Sequence, residues 1–154
     1  MPAPAPPRDS SGDRRLILIL EDSEERIREF TAAIGQLNPA VTVRIWNDAP
    51  TMLAECPALL SQAGLISLDH DLNPMPGKTE DPGTGLEVAD LLSRFPPQCP
   101  VILHTSNHER RWSMHNSLRH SGWDVYIVPP LTPGWIASSW LPKAKALVPS
   151  LSHG

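Results

Sequence analysis

Cysteine is scarce in this chain. Only Cys56 and Cys99 occur among 154 residues, each beside a proline and neither in a Cys-x-x-Cys pair. That spacing argues against a zinc site, a redox couple or a disulfide framework, and both are expected to be free structural thiols. Long apolar runs are also lacking: none approaches the roughly 18 residues of a membrane span. The N-terminal stretch has no apolar core of the signal-peptide kind, so a cytoplasmic protein without a membrane partner is expected. Positive charge is not in excess. The formal net charge is −4, which gives no ground for a broad nucleic-acid surface, and no DNA partner is expected. There is no internal repeat.

What is present is one domain's length of alternating strand and helix signals. Residues 1–15 form a Pro/Ala-rich tail expected to be disordered, residues 16–148 the domain, and residues 149–154 a flexible C-terminus. Leu16–Leu20 reads as a strand buried on both faces. Ser23 then caps a helix to about Gly35, with Glu24 and Glu25 in its first turn. Val41–Trp46 alternates as a second strand. A second helix runs from Asp48 to about Ala63, shortened or kinked by Pro57. Leu65–Asp69 is the third strand, followed by a long Pro/Gly loop over residues 73–84. A helix (Leu86–Phe95), a strand (Pro100–Thr105), a helix (His108–Ser121) and a strand (Asp124–Val128) come next. The last helix lies within Thr132–Leu147, broken at Pro142. Five β-α units predict an α/β fold: a flavodoxin-like, doubly wound, five-stranded parallel sheet in three α/β/α layers.

Two apolar runs end abruptly in acid: Leu16–Leu20 in Glu21-Asp22, and Leu65–Leu68 in Asp69-His70-Asp71. Ligands of open α/β sheets bind beyond the carboxyl ends of the strands. Clustered carboxylates repel one another and a divalent cation relieves this, so Glu21, Asp22 and Asp69 are the candidate ligands of Mg²⁺ or Mn²⁺. A helix-cap role competes for Asp22. The fourth strand adds His104, Thr105, Ser106 and Asn107. Asp69, His70, Asp71 and His104 form the candidate catalytic group, with an imidazole for acid–base work. Each histidine has a structural alternative as a hydrogen-bonded packing residue. Thr105, Ser106, Asn107, Thr84 and Arg110 are candidates to bind a phosphate, against turn, cap or solvated-face roles. Gly77-Lys78-Thr79 lacks the upstream glycine and leading strand of a phosphate loop. Trp112, Trp123, Trp135 and Trp140 read as core or rim packing.

From Leu16 to Leu147 the arrangement resembles the response-regulator receiver domain. Glu21-Asp22 is similar to the receiver's acidic pair, Asp69 to its phospho-accepting aspartate and Thr105 to its switch hydroxyl. The resemblance implies Mg²⁺ held by Asp22 and Asp69, with Glu21 acting directly or through water and Asp71 offering its carbonyl. Val128-Pro129 stands where receivers carry Lys-Pro, which departs from phosphorelay signalling. Leu68-Asp69-His70-Asp71-Leu72 and His104-Thr105-Ser106-Asn107, with Gly122-Trp123 before the last strand, resemble a divergent receiver group associated with cyclic-phosphate processing. That likeness implies a metal-dependent phosphoesterase acting on a cyclic phosphate of RNA ends or nucleotides. The alternative is a non-enzymatic pseudo-receiver that binds a protein partner, with or without phosphorylation at Asp69.

Overall fold

The computed structural model describes residues 14–152. The expected tail therefore falls almost wholly outside the described residues. Five parallel strands form one sheet in the order β2-β1-β3-β4-β5. They are β1 (Leu16–Leu20), β2 (Thr42–Trp46), β3 (Ala63–Leu68), β4 (Val101–Leu103) and β5 (Val125–Ile127). The apolar runs that predicted β1 and β3 fill the middle of the sheet, where a strand is covered on both faces. They pair in register from Ile17↔Leu65 to Leu20↔Leu68, so both acidic ends emerge at the same height.

Helices cover both faces. The first is α1 (Glu24–Ile34), whose Ser23 cap accepts from the Arg26 amide. It packs with the C-terminal helix α5 (Leu141–Leu147) over Ile17, Ile19, Leu65 and Ile102. The opposite face carries α2 (Ala49–Glu55), α3 (Gly85–Leu92) and α4 (His108–His120) over Leu18, Leu20, Ile66, Leu68 and Leu103. This is the three-layer α/β/α arrangement expected from the sequence.

Three departures from the sequence expectation have local causes. Helix α2 stops at Glu55, and Cys56–Gln62 continues as a 3₁₀ helix with Pro57 in its first turn. Pro57 has no N–H for an α-helical bond and would crowd the preceding turn. Pro142 does not break the last helix. It sits in the first turn of α5, where proline is tolerated, and Ile136–Trp140 before it widens into a π-helical turn closed by the Leu141 amide on the Ile136 carbonyl. Finally, packing extends past residue 148: Pro149–Leu151 forms a 3₁₀ turn and Leu151 is fully buried beside α1 and α5. Both cysteines are free thiols, as expected. Burial pushes Cys56 up to about 11 and Cys99 to about 12, which leaves both unreactive near neutral pH. No helix among the described residues is long and apolar enough to cross a membrane.

Candidate metal and phosphate site

Side chains alternate across a strand. Ile17 and Ile19 face α1 and α5, and the next residue in that series is Glu21. On β3 the same face takes Leu65, then Ser67 and Asp69; on β4 it takes Ile102, then His104. Three adjacent strands thus turn from apolar to polar at one level. Glu21, Asp69 and His104 each place one potential ligand atom within 4.8 Å of the others. All three are buried.

Glu21 is held at both oxygens. Its Oε2 accepts from the backbone amides of Asp22 and Ser23, each at 3.0 Å, and its Oε1 lies 3.1 Å from His104 Nε2. Burial pushes its carboxyl up, but the hydrogen bond from His104, the Ser23 amide and Arg26 prevail and leave it below its ordinary value. Asp69 is the contrasting case. Its Oδ1 accepts from the His70 amide at 2.7 Å. Burial and the nearby Glu21 charge outweigh His104, that amide and Arg26, and raise its carboxyl to about 6. Asp22 is also raised, by burial first, and its Oδ2 accepts from the Asn73 amide at 2.7 Å. That bond ties the long loop of residues 73–84 to the rim.

These carboxylates form the floor and one wall of a cavity of about 800 Å³. The rest is built from the start of α1, Asn73–Pro76, Ser106 and Pro130–Trp135. Among the described residues that line it, Arg26 is the one cation. Its guanidinium lies 3.6 Å from Glu21, 3.8 Å from Asp69 and 5.5 Å from the centre of the Trp135 ring, and is one-third exposed. Val128 is buried where receivers carry lysine, with its amide on the Leu103 carbonyl. Positive charge therefore reaches this site from α1 rather than from β5. The hard oxygen donors of Glu21, Asp69 and Asp22, one of them driven toward its protonated form by burial and then by its neighbour Glu21, fit Mg²⁺ or Mn²⁺.

The other sequence candidates divide into those at the cavity and those beside it. Asp71 and Ser106 line it. Asn107 does not: its Oδ1 caps α4 by accepting from Arg110 and its Nδ2 holds the Asp71 carboxylate at 3.1 Å. Thr105 is buried, and its Oγ1 accepts from the Asn107 amide. Thr84 is committed to a capping box with Glu87 at the start of α3. Arg110 is exposed on α4, away from the lining. Neither histidine is among the residues that line the cavity. Alternation places His70 on the α3 side, where its Nδ1 accepts from the Leu86 amide at 3.2 Å. Burial, with Arg110 in support, lowers its pKa against the pull of Asp71 and Glu87. Helix α3 comes this close because residue 85 is glycine: a Cβ there would sit 1.8 Å from the Asp69 carbonyl oxygen. His104 is fully buried between Phe30 and Trp135, at ring separations of 5.2 and 5.7 Å.

Arg26 and Ser67 are not among the sequence candidates for the site, and Trp140 enters there only as core or rim packing. Ser67 had a signal, as a lone hydroxyl inside an apolar strand. Arg26 and Trp140 had none, because the sheet edge they reach is defined only by the packed helices.

Fold and rim together define a receiver-type α/β protein with an acidic site at the carboxyl edge of its sheet. A family model for the cyclic-phosphate processing receiver domain matches residues 17–120. The chain belongs to that family. No curated protein matches the sequence. Solved structures with the same fold include a response regulator receiver domain from Rhodospirillum rubrum, 17% identical, with a TM-score of 0.59 over 84% of this chain and 90% of that one. The response regulator domain of Thermotoga maritima CheB is also 17% identical, with a TM-score of 0.59 over 87% and 96%. The CheX–CheY–BeF₃–Mg complex from Borrelia burgdorferi gives 14% identity and a TM-score of 0.61 over 85% and 87%.

Proposed function

We propose that this domain is a divalent-metal-dependent phosphoesterase that opens a cyclic phosphate, carried by a nucleotide or an RNA end. The observation that carries this reading is the convergence of buried Glu21 and Asp69 with Asp22 at the floor of a cavity that also holds Arg26. Glu21, Asp22 and Asp69 would hold Mg²⁺ or Mn²⁺. When bound, such an ion polarises a phosphoryl oxygen and lowers the pKa of a water molecule.

The chain's own residues supply the rest. Arg26 is paired with two carboxylates, so a cation that takes over those carboxylates frees its guanidinium for a phosphate oxygen. The Ser106 hydroxyl faces the same cavity and is exposed, free to donate to a second oxygen. Asp69 either accepts the proton of a water that attacks phosphorus and passes it to the ring oxygen released as one ring P–O bond breaks, or attacks phosphorus itself. In the second route the new Asp69–O–P bond replaces that ring P–O bond, the freed oxygen takes a proton from solvent, and water then hydrolyses the acyl phosphodiester. Asn107 keeps the Asp71 carboxylate aligned at the mouth. His70 and Thr105 brace the walls.

The test is turnover of RNA ending in a 2′,3′-cyclic phosphate and of free cyclic nucleotides, with Mn²⁺ or Mg²⁺. Activity that disappears in Asp69→Asn and with a chelator is the expected result. No turnover by protein that demonstrably binds Mn²⁺ would overturn the enzyme reading. It would favour a partner-binding pseudo-receiver, a role supported by Val128 in place of lysine and by Trp112, 45% exposed on α4.

A further inference from the structure

We infer that His104 is a positioning residue, locked by Ser67 and Trp140 as the Nε2–H tautomer so that it donates to Glu21 and stays out of the metal's coordination. The inference follows from a count of donors and acceptors along one buried chain. Trp140 Nε1–H can only donate, and it lies 2.9 Å from Ser67 Oγ. Ser67 Oγ has one other partner among the described residues, His104 Nδ1 at 2.7 Å. Ser67 Oγ could accept a second bond, but an Nδ1–H would then leave the buried Ser67 hydroxyl proton with no acceptor among the described residues; pointed at Nδ1 that proton is satisfied, and Nδ1 is the bare nitrogen. Nε2 carries the hydrogen, and it faces Glu21 Oε1 at 3.1 Å, an oxygen that can only accept. Each group in the chain has its partner, and Ser67, His104, Trp140 and Glu21 are all fully buried.

The surroundings fix the ring as well as its protons. His104 is tilted against both Phe30 and Trp135, at interplanar angles of 58° and 31°, while Trp140 meets Phe30 edge-on at 4.9 Å. Trp135 and Trp140 bracket the π-helical turn Ile136–Trp140. In a regular α-helix residues 135 and 140 lie about 500° apart at 100° per residue, on different faces. The wider π turn, with about 4.4 residues per turn, brings them nearer the same face, and π turns of this kind recur at functional sites. The turn thus sets one tryptophan against the His104 ring and the other on the far end of its hydrogen-bond chain. His104 could also be viewed as a third ligand beside Glu21 and Asp69. The nitrogen nearest those carboxylates is the protonated one, so that role requires the chain to be taken apart. Outer-shell bonds of this type orient a ligand, and their loss costs about 10- to 100-fold in metal affinity.

The consequence for metal binding rests on the phosphoesterase reading above, whereas the tautomer does not. Two measurements separate them. The first is ¹⁵N–¹H correlation NMR of the full-length, metal-free protein labelled at histidine, with His104→Gln for assignment. A proton on Nε2 and a bare Nδ1 are expected, with the preference lost in Ser67→Ala. A proton on Nδ1 in the wild type would overturn the inference. The second is calorimetric titration with Mn²⁺ alone. His104→Leu and Ser67→Ala should weaken binding by about tenfold or more. His104→Gln, whose Nε2 amide still donates to Glu21, should recover most of that loss, and His104→Asn, which falls short, should not. Glutamine no better than leucine, or loss of the Nε2 proton on Mn²⁺ binding to the wild type, would also overturn it. A wild type that binds no Mn²⁺ defeats the phosphoesterase reading and leaves the NMR result to decide the tautomer.

Discussion

Asp69 is costly to the fold that contains it. Its carboxyl is raised from 3.8 to about 6, chiefly by burial and then by Glu21, against the help of His104, the His70 amide and Arg26. The native state therefore holds this proton more tightly than the unfolded chain, and stability is lost as pH rises through the window from about 4 to about 6. A shift of this size corresponds to about 3 kcal/mol. Asp69→Asn removes the charge and keeps the shape. The metal-free variant should be more stable than the wild type in denaturation at about pH 7, with the gap closing near pH 4. An equal or less stable variant at neutral pH would mean that Arg26 already neutralises the site. The same variant should lose Mn²⁺ binding, separating the gain in stability from the loss of function.

Helix α3 and the π turn before α5 show how elements are bent to serve the rim. The start of α3 is pressed onto the Asp69–His70 backbone, with the Gly85 amide on the His70 carbonyl and the Leu86 amide on its ring. Thr84, at the helix N-cap, spends its hydroxyl and amide on this end of the helix. Thr84→Ala is therefore expected to cost about 1 kcal/mol of stability while leaving kcat/KM for a cyclic phosphate unchanged. A loss of kcat/KM at unchanged stability would restore Thr84 to substrate binding. Gly85→Ala belongs to a different class. The clash with the Asp69 carbonyl must displace α3 or that carbonyl, and a loss above about 3 kcal/mol is expected in thermal unfolding.

At the scale of the whole molecule, the sheet works as a rigid frame that carries three polar strand ends to one level. The buried residues beneath are apolar on both faces, so a cation at the rim stabilises by holding together carboxylates that the frame has already assembled. The metal reading predicts that melting temperature rises with Mn²⁺ concentration. Free metal at 100 times Kd adds about 2.7 kcal/mol, which is several degrees for a domain of this size, and chelator should reverse it. An unchanged melting temperature in millimolar Mn²⁺ would count against the ligand set of Glu21, Asp22 and Asp69.

The five strands, the three layers and the acidic rim were legible in the sequence because burial on both faces demands unbroken apolar runs, and the abrupt end of such a run marks the edge. Alternation carries past the end of β3 and puts Asp69 and His70 on opposite faces, which the sequence left open because a loop begins there. Caps were visible only as competing roles: Asn107 and Thr84 present the same side chains whether they bind a helix end or a phosphate, and only the packed helix decides. Tertiary structure alone placed His104 behind Glu21 rather than in the cavity, brought Trp140 across 73 residues to Ser67, and set Arg26 beside Glu21 and Asp69. Those contacts join segments distant in the chain, and their geometry is fixed by how the helices pack on the sheet, which no local pattern of residues records.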